Sequence, residues 1–254
     1  MDQASPEVLL SRLLGIDPES RSLAERIAHD IARAVIEGRL PPGSDLNSLT
    51  LSSHFETSRT PVREALIILE KGGLVEILPR RRPRVADLDP KQIHDIYRLR
   101  ALLNGVLSEQ LSQVIDETQL AELETILAQM DVAVRDGEVD RYFWQNVLFH
   151  ELSSTFAGDA AVKRALDALG LQVLRLRHDS MSKPGRVDRS YEDHKLLLRA
   201  YRERDSTLAS AIAKSNVLNA LAALSPPESE APEPRQDEDN EHPNPPRRAD
   251  SSTA

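Results

Sequence analysis

Ser58-Arg59-Thr60-Pro61-Val62-Arg63-Glu64-Ala65-Leu66 opens a predicted helix running from about Arg59 to Lys71. Thr60 followed by Pro61 supplies a capping residue and a proline tolerated in the first turn, with Ser58 the alternative cap. Val62, Ala65, Leu66 and Leu69 follow the i, i+3, i+4, i+7 spacing of one buried stripe, and Gly72-Gly73 ends it. That stripe leaves Ser58, Arg59, Thr60 and Arg63 on the exposed N-terminal end. Amides and hydroxyls at a helix N-terminus bind phosphates, and an arginine there can pair bidentately with guanine. Upstream, residues 22–37 read as a helix: Ser22 and Glu25 form a capping-box pattern, Leu23, Ile27, Ile31 and Val35 share a face, and Gly38 stops it. Leu40-Pro41-Pro42-Gly43 is a stiff turn, and residues 49–55 form a short second helix with Leu49, Leu51 and Phe55 as candidate buried positions. Downstream, Leu74-Val75-Glu76-Ile77-Leu78 reads as a strand, Pro79 to Pro83 as a turn and Arg84-Val85-Ala86 as a return strand. Three short helices followed by a hairpin describe a winged helix-turn-helix over residues 22–86, whose last helix enters the major groove. The hairpin carries Arg80, Arg81, Arg82 and Arg84, the densest basic cluster in the chain. The competing reading, a solvated helix face and a soluble arginine loop, loses weight once the run sits in a hairpin after such a helix.

The charge balance at first argues the other way. The 254 residues carry 32 Lys and Arg against 41 Asp and Glu, a net charge of −9. The charge is segregated, however: residues 58–85 hold 7 basic and 3 acidic residues, a net of +4, whereas residues 225–254 hold 3 basic and 8 acidic. With no cysteine, disulfides, thiolate zinc sites and cysteine nucleophiles are excluded. No apolar run approaches the ~18 residues of a membrane span, and Met-Asp-Gln-Ala-Ser-Pro lacks the basic start of a secretory signal. A cytoplasmic protein with no membrane partner is expected.

From Asp89-Pro90 onward the pattern is helical, with helices near 90–114, 118–135, 139–156, 160–180, 188–203 and 206–223. Residues 87–224 therefore read as a second domain, an all-α bundle of six helices. Residues 1–21 form an N-terminal extension, flexible or a short helix with Val8, Leu9, Leu13 and Leu14 as its apolar face. Residues 225–254 contain seven prolines and nothing large and apolar, so they are expected to be a disordered acidic tail.

These residues resemble a known family. Ile36-Glu37-Gly38-Arg39-Leu40-Pro41-Pro42-Gly43, then Ser58 to Leu66, then Gly73-Leu74-Val75 resemble the DNA-binding domain of the GntR family of bacterial transcription regulators. The resemblance implies a homodimer reading a palindromic operator through Ser58, Arg59, Thr60 and Arg63. It departs from the family pattern at three positions. Glu56 stands where the turn usually has glycine, a substitution that strains it; Leu49 stands where a polar residue often contacts DNA; Arg82 stands where the wing tip usually has glycine.

Residues 90–224 are similar to the FCD ligand-binding domain of the FadR-type subfamily. The resemblance is carried by Ile96-Tyr97-Arg98-Leu99-Arg100, Asn146 with Phe149-His150, His194 and Asn216. Many members bind a divalent metal (zinc, nickel or similar) at such places with one aspartate and three histidines. Here Asn146 and Asn216 replace two of those ligands, leaving His150 and His194 as metal candidates with two amides as weak ligands. The amides alternatively bind the effector or a water directly, and on the residues alone His150 and His194 read as hydrogen-bonded interior histidines. The resemblance also implies a small organic acid as effector, with Arg100 gripping its carboxylate. Arg177 is a second candidate, set against a surface salt bridge, and Asn104 stands where the family has glutamate. The expected function is therefore a transcription regulator, a repressor in the commoner case, modulated by an acid in the helical domain. Two alternatives remain: an enzyme using His150 and His194 as acid–base groups, and a dimeric DNA-binding scaffold with no effector. Against the first, Glu151 points about 100° away from His150 on its helix, and no phosphate loop, nucleophile elbow or HExxH motif is present.

Overall fold

The computed structural model describes residues 6–19 and 21–225; the expectation of a disordered tail falls outside them. The first helix, α1 (Pro6–Leu13), realises the short-helix alternative for the N-terminal extension. It buries Leu9 and Leu10 against α2 (Leu23–Ile36). The two are tied by Arg33 donating to the Glu7 carboxylate at 2.9 Å and by His29 Nε2 against the Glu7 carbonyl at 3.2 Å. The capping box that starts α2 is present in both directions: Glu25 N–H donates to Ser22 Oγ at 3.2 Å, and Ser22 N–H to the Glu25 carboxylate at 2.7 Å. Ile27, Ile31 and Val35 are buried as expected, whereas Leu23, in the first turn, is 40% exposed.

Next comes α3 (Ser48–His54), capped by Asn47. Leu49, expected to be buried, is 56% exposed. The inner face of this two-turn helix is made by Ser52 with half-buried Leu51 and Phe55. Leu49 lies roughly 100° around the helix from that face, at 100° per residue. The fourth helix, α4 (Arg59–Lys71), begins after Ser58 rather than Thr60 and buries Val62, Ala65, Leu66 and Leu69. Each buried Val or Leu contributes about 1.5–3 kcal/mol, which fixes which face of α4 points outward. The wing strands β1 (Val75–Glu76) and β2 (Arg84–Val85) pair antiparallel, Val75 opposite Val85 and Glu76 opposite Arg84. They are shorter than expected because prolines at 79 and 83 remove ladder donors. The other edge of β2 is instead taken by the stretch after α2: Val85 N–H donates to the Ser44 carbonyl and Leu46 N–H to the Pro83 carbonyl, at 3.0 and 2.8 Å.

The helical domain comprises α5 (Pro90–Val114), α6 (Glu117–Asp136), α7 (Val139–Ala157), α8 (Ala160–Asp167), α9 (Gln172–Met181), α10 (Arg186–Arg202) and α11 (Ser206–Leu224). Among the described residues it therefore has seven helices, not six. The single helix expected over 160–180 is broken between Asp167 and Gln172, where Gly170 takes φ +77°, a conformation that glycine adopts without steric cost. The break has a purpose in the packing. It lets Leu171 N–H donate to the carbonyl of Gly72, at the end of α4, at 3.0 Å. A second tie between the domains is Trp144 of α7, whose indole N–H donates to Glu37 at 3.0 Å. One apolar core runs through both domains, from Leu10, Ile36 and Leu69 to Phe143, Leu171 and Tyr201. A smaller cluster around Tyr97, Ala101, Leu176 and Val217 closes the far end.

Candidate functional site

Two surfaces carry chemistry. The first is the outward end of α4. Ser58 is its N-cap but makes no side-chain capping bond, so its hydroxyl is not consumed by the helix. Arg59, Thr60 and Arg63 are all exposed, because the buried stripe of α4 turns them outward. Neither arginine has a carboxylate within 4 Å among the described residues. Unpaired guanidiniums beside uncapped backbone N–H groups form an anion-seeking surface. The wing divides the remaining four arginines. Arg80 (φ +61°) and Arg81 are exposed at the turn, whereas Arg82 pairs with Asp45 at 2.9 Å and Arg84, on β2, with Glu76 at 2.8 Å. Neither pairing is visible from sequence spacing, since both join residues distant in the chain or across the hairpin.

The second surface is internal. A cavity of about 890 Å³ lies between the helical domain and the DNA-binding head, walled by Leu107, His150, Leu174 and Arg177 on one side and Ile68, Lys71 and Gly72 on the other. A small annex opens from it towards Asn146, Ser180, Arg186 and Asn216; Arg100, His150 and Arg177 line both. All five residues expected from the sequence, Arg100, Asn146, His150, His194 and Asn216, converge here. His194 lies directly behind, fully buried, with its Nε2 3.2 Å from His150 Nε2.

The polar groups form an ordered chain. The Ser190 carbonyl can only accept, so the 2.6 Å contact to His194 Nδ1 places the proton on Nδ1 and leaves Nε2 a lone pair. The Asn146 amide N–H donates to that lone pair at 3.0 Å, and Asn146 Oδ1 accepts from Arg177 at 2.5 Å. Asn216 has a matching role, its Oδ1 accepting from Arg186 at 2.7 Å. Burial pulls His194 down to about 4, against the weaker raising influence of the Ser190 hydrogen bond. Burial first, then the adjacent His194 imidazole and the positive charges of Arg177 and Arg100, holds His150 well below its ordinary value. Both imidazoles are therefore neutral at pH 7.

Arg177, for which a surface salt bridge was the competing role, faces the cavity instead. Burial, followed by repulsion from Arg100, lowers it to about 9, so it stays protonated at neutral pH. Arg186 went unnoticed at the sequence level. A signal was available: Arg186, Ser190, Asp193, Leu197 and Tyr201 repeat at helical spacing and are all buried, so Arg186 heads an inward stripe. Arg177 likewise sits four residues after Val173 and three after Leu174, both buried.

A divalent cation fits this donor set poorly. Both amide oxygens are occupied by guanidiniums, the His194 lone pair is occupied by an amide N–H, and no carboxylate supplies charge. Among the described residues, no group of three or more His, Cys, Asp or Glu side chains is placed to hold a metal. Nor is any helix among them long and apolar enough to cross a membrane.

Comparison with known proteins agrees with this architecture. The model of bacterial regulatory proteins of the gntR family matches residues 23–85, and the FCD domain model matches residues 95–218. The gluconate operon transcriptional repressor of Bacillus subtilis is 30% identical over 201 residues, which cover 74% of this chain and 79% of that protein. The HTH-type transcriptional repressor RspR of Escherichia coli is 26% identical over 181 residues, covering 71% and 79%. Among solved structures, Escherichia coli McbR/YncC shares the fold with a TM-score of 0.68 at 22% identity, covering 80% of this chain and 97% of that one. The chain belongs to the GntR family of bacterial regulatory proteins, with an FCD domain behind its DNA-binding head, and is a DNA-binding transcription regulator.

Proposed function

We propose that the protein is a homodimeric repressor that reads a palindromic operator through Ser58, Arg59, Thr60 and Arg63, and that a small organic acid in the central cavity changes its operator affinity. The observation that carries this reading is the double wall of the cavity: Ile68 and Lys71 belong to the same helix that presents Arg59 and Arg63 outward, and Gly72 caps it. A ligand there touches α4 directly, so it can bind two arrangements of the head with different affinity. That difference is the most it can contribute to DNA binding. Repression is favoured by the names of the relatives, both of which are repressors.

Dimerisation is supported by an apolar stripe on α5, where Leu99, Leu102 and Val106 are 45%, 60% and 48% exposed. Leu218 of α11, packed along α5, is exposed as well. A contiguous exposed apolar face of this kind marks an interaction surface. The two arms of Arg80 and Arg81 then reach the backbone beside each half-site, giving affinity that falls with salt.

The test is operator selection from random DNA with a panel of small acids added. A palindrome recovered by the protein, with affinity shifted at least several-fold by one acid, is expected; operator affinity unaffected by any acid points to the scaffold alternative. Arg59→Ala and Arg63→Ala should each weaken the selected site by about tenfold or more with no change in melting temperature, because both side chains are exposed. Specific footprinting retained by both variants overturns the assignment of α4.

A further inference from the structure

The metal expected from the resemblance and the arginines found in the structure make competing demands on one place, and the arginines occupy it. Arg177 holds the oxygen of Asn146 and Arg186 holds the oxygen of Asn216. Those are the two positions where the FCD pattern has metal ligands. Arg100 adds a third guanidinium, 8% exposed, stacked on Tyr97 at 4.8 Å, with Nη1 buried and unpartnered. The hydroxyl of Ser180, which also lines the annex, is buried and unpartnered too. None of the three arginines has a carboxylate within 4 Å among the described residues.

Counting the nearby countercharges sets the ligand's charge. Arg186 lies in the field of buried Asp193. Glu151, the carboxylate whose field reaches Arg177, is already bound to Lys163 at 2.8 Å. Arg100 and Arg177, which line both the cavity and its annex, are thus two positive charges with no carboxylate within 4 Å, and the two acids that share the cavity wall, Glu151 and Asp167, are both held by Lys163. An unpaired enclosed charge is costly, and a bidentate carboxylate is the partner that a guanidinium fits best.

We propose that this cavity is a metal-independent site for a dianionic organic acid, a dicarboxylate or its equivalent, with Arg100 and Arg177 each taking one negative charge. The proposal rests on the reading of the cavity as the effector site and names the class of effector. It assigns Arg177 and Arg186 a place in that site, with Arg186 holding Asn216 and the annex in shape. It also gives the two asparagines a reason. An amide can accept from a guanidinium without neutralising it, whereas an aspartate at 146 would cancel the charge that the ligand needs.

The experiment is calorimetric titration of the full-length protein in excess chelator with three matched pairs of acids: gluconate and glucarate, butyrate and succinate, 2-hydroxybutyrate and malate. In every pair that binds, the diacid is expected to bind at least tenfold tighter, and added zinc or nickel is expected to leave its affinity unchanged. Arg177→Gln should bring the two members of a pair to within about threefold, while Arg177→Lys keeps most of the preference. Should Arg177→Gln fail to fold, the wild-type pairs alone decide. Equal affinity within pairs, binding that appears only with metal, or no binding by all six acids overturns the proposal. A diacid that binds as described yet leaves operator affinity unchanged upholds the dianion site and overturns the regulatory reading instead.

Discussion

Glu56 holds φ at +49° in the turn between α3 and α4, a left-handed conformation that costs an L-residue about 1–2 kcal/mol and glycine almost none. The strain was readable through the family resemblance, which has glycine at this place in the turn. Glu56→Gly should therefore raise stability by about 1 kcal/mol, visible as a higher denaturation midpoint; an unchanged or lower midpoint would show that the glutamate side chain compensates. His194 makes a second prediction. Its native value, about 4, lies below the ordinary 6.5, so the unfolded chain takes up a proton first. Its contribution is complete above pH 6.5 and declines as pH falls towards 4, by about 2 kcal/mol at pH 5. His150 acts in the same direction. Stability measured by denaturant should drop between pH 7 and pH 5, and His194→Gln should flatten that slope. What the sequence withheld at this scale was the depth of the arginines. Arginine is seldom fully buried, and only helical phase could have placed Arg177 and Arg186 inside.

Among the elements, α4 was legible to within a residue because three local signals agree on it: a capping residue, an early proline and an unbroken apolar stripe. The separation of α8 from α9 was not legible, because Leu166, Leu169, Val173 and Leu176 keep an approximately helical spacing across Ala168–Leu171. What breaks the helix is tertiary. Leu171 turns to reach Gly72, and a Cβ on Gly170 would stand 3.2 Å from the Gly72 carbonyl oxygen. Gly170→Ala is expected to destabilise by roughly 1–2 kcal/mol from its left-handed φ alone. Faster amide exchange should appear at Leu171, whose N–H makes the bond to Gly72. Exchange at Leu171 no faster than in the wild type would show that the joint tolerates the methyl group. The wing shows the same limit of local reading. Its strands were placed correctly but drawn too long, since nothing in residues 74–86 announces that β2 spends its second edge on Ser44 and Leu46.

For the whole molecule, charge is segregated along the sequence. The positive part is α4 and the wing, residues 58–85, and the acidic excess lies in the rest of the chain, where it is expected to repel DNA at long range and leave specificity to a few arginines. The head and the bundle are joined by the Leu171–Gly72 bond and by Glu37. That carboxylate, with its side chain only 6% exposed, takes donors from Arg33 at 2.8 Å, Arg39 at 2.7 Å and Trp144 at 3.0 Å. Burial pushes its pKa up, but the three donors together outweigh burial and hold it below the ordinary carboxylate range. Only Trp144 comes from the bundle, so Trp144→Phe severs the polar tie while keeping most of the aromatic volume that packs on Phe143. The lost bond to a charged group costs about 1.5–3 kcal/mol, measurable by denaturation. If Glu37 transmits the effector signal, the variant should bind operator and acid separately with near wild-type affinity, yet the factor by which acid changes operator affinity should shrink towards 1. A coupling factor unchanged in Trp144→Phe would show that the signal does not pass through Glu37 and runs instead through the shared core, the α4 wall of the cavity or the Leu171–Gly72 joint.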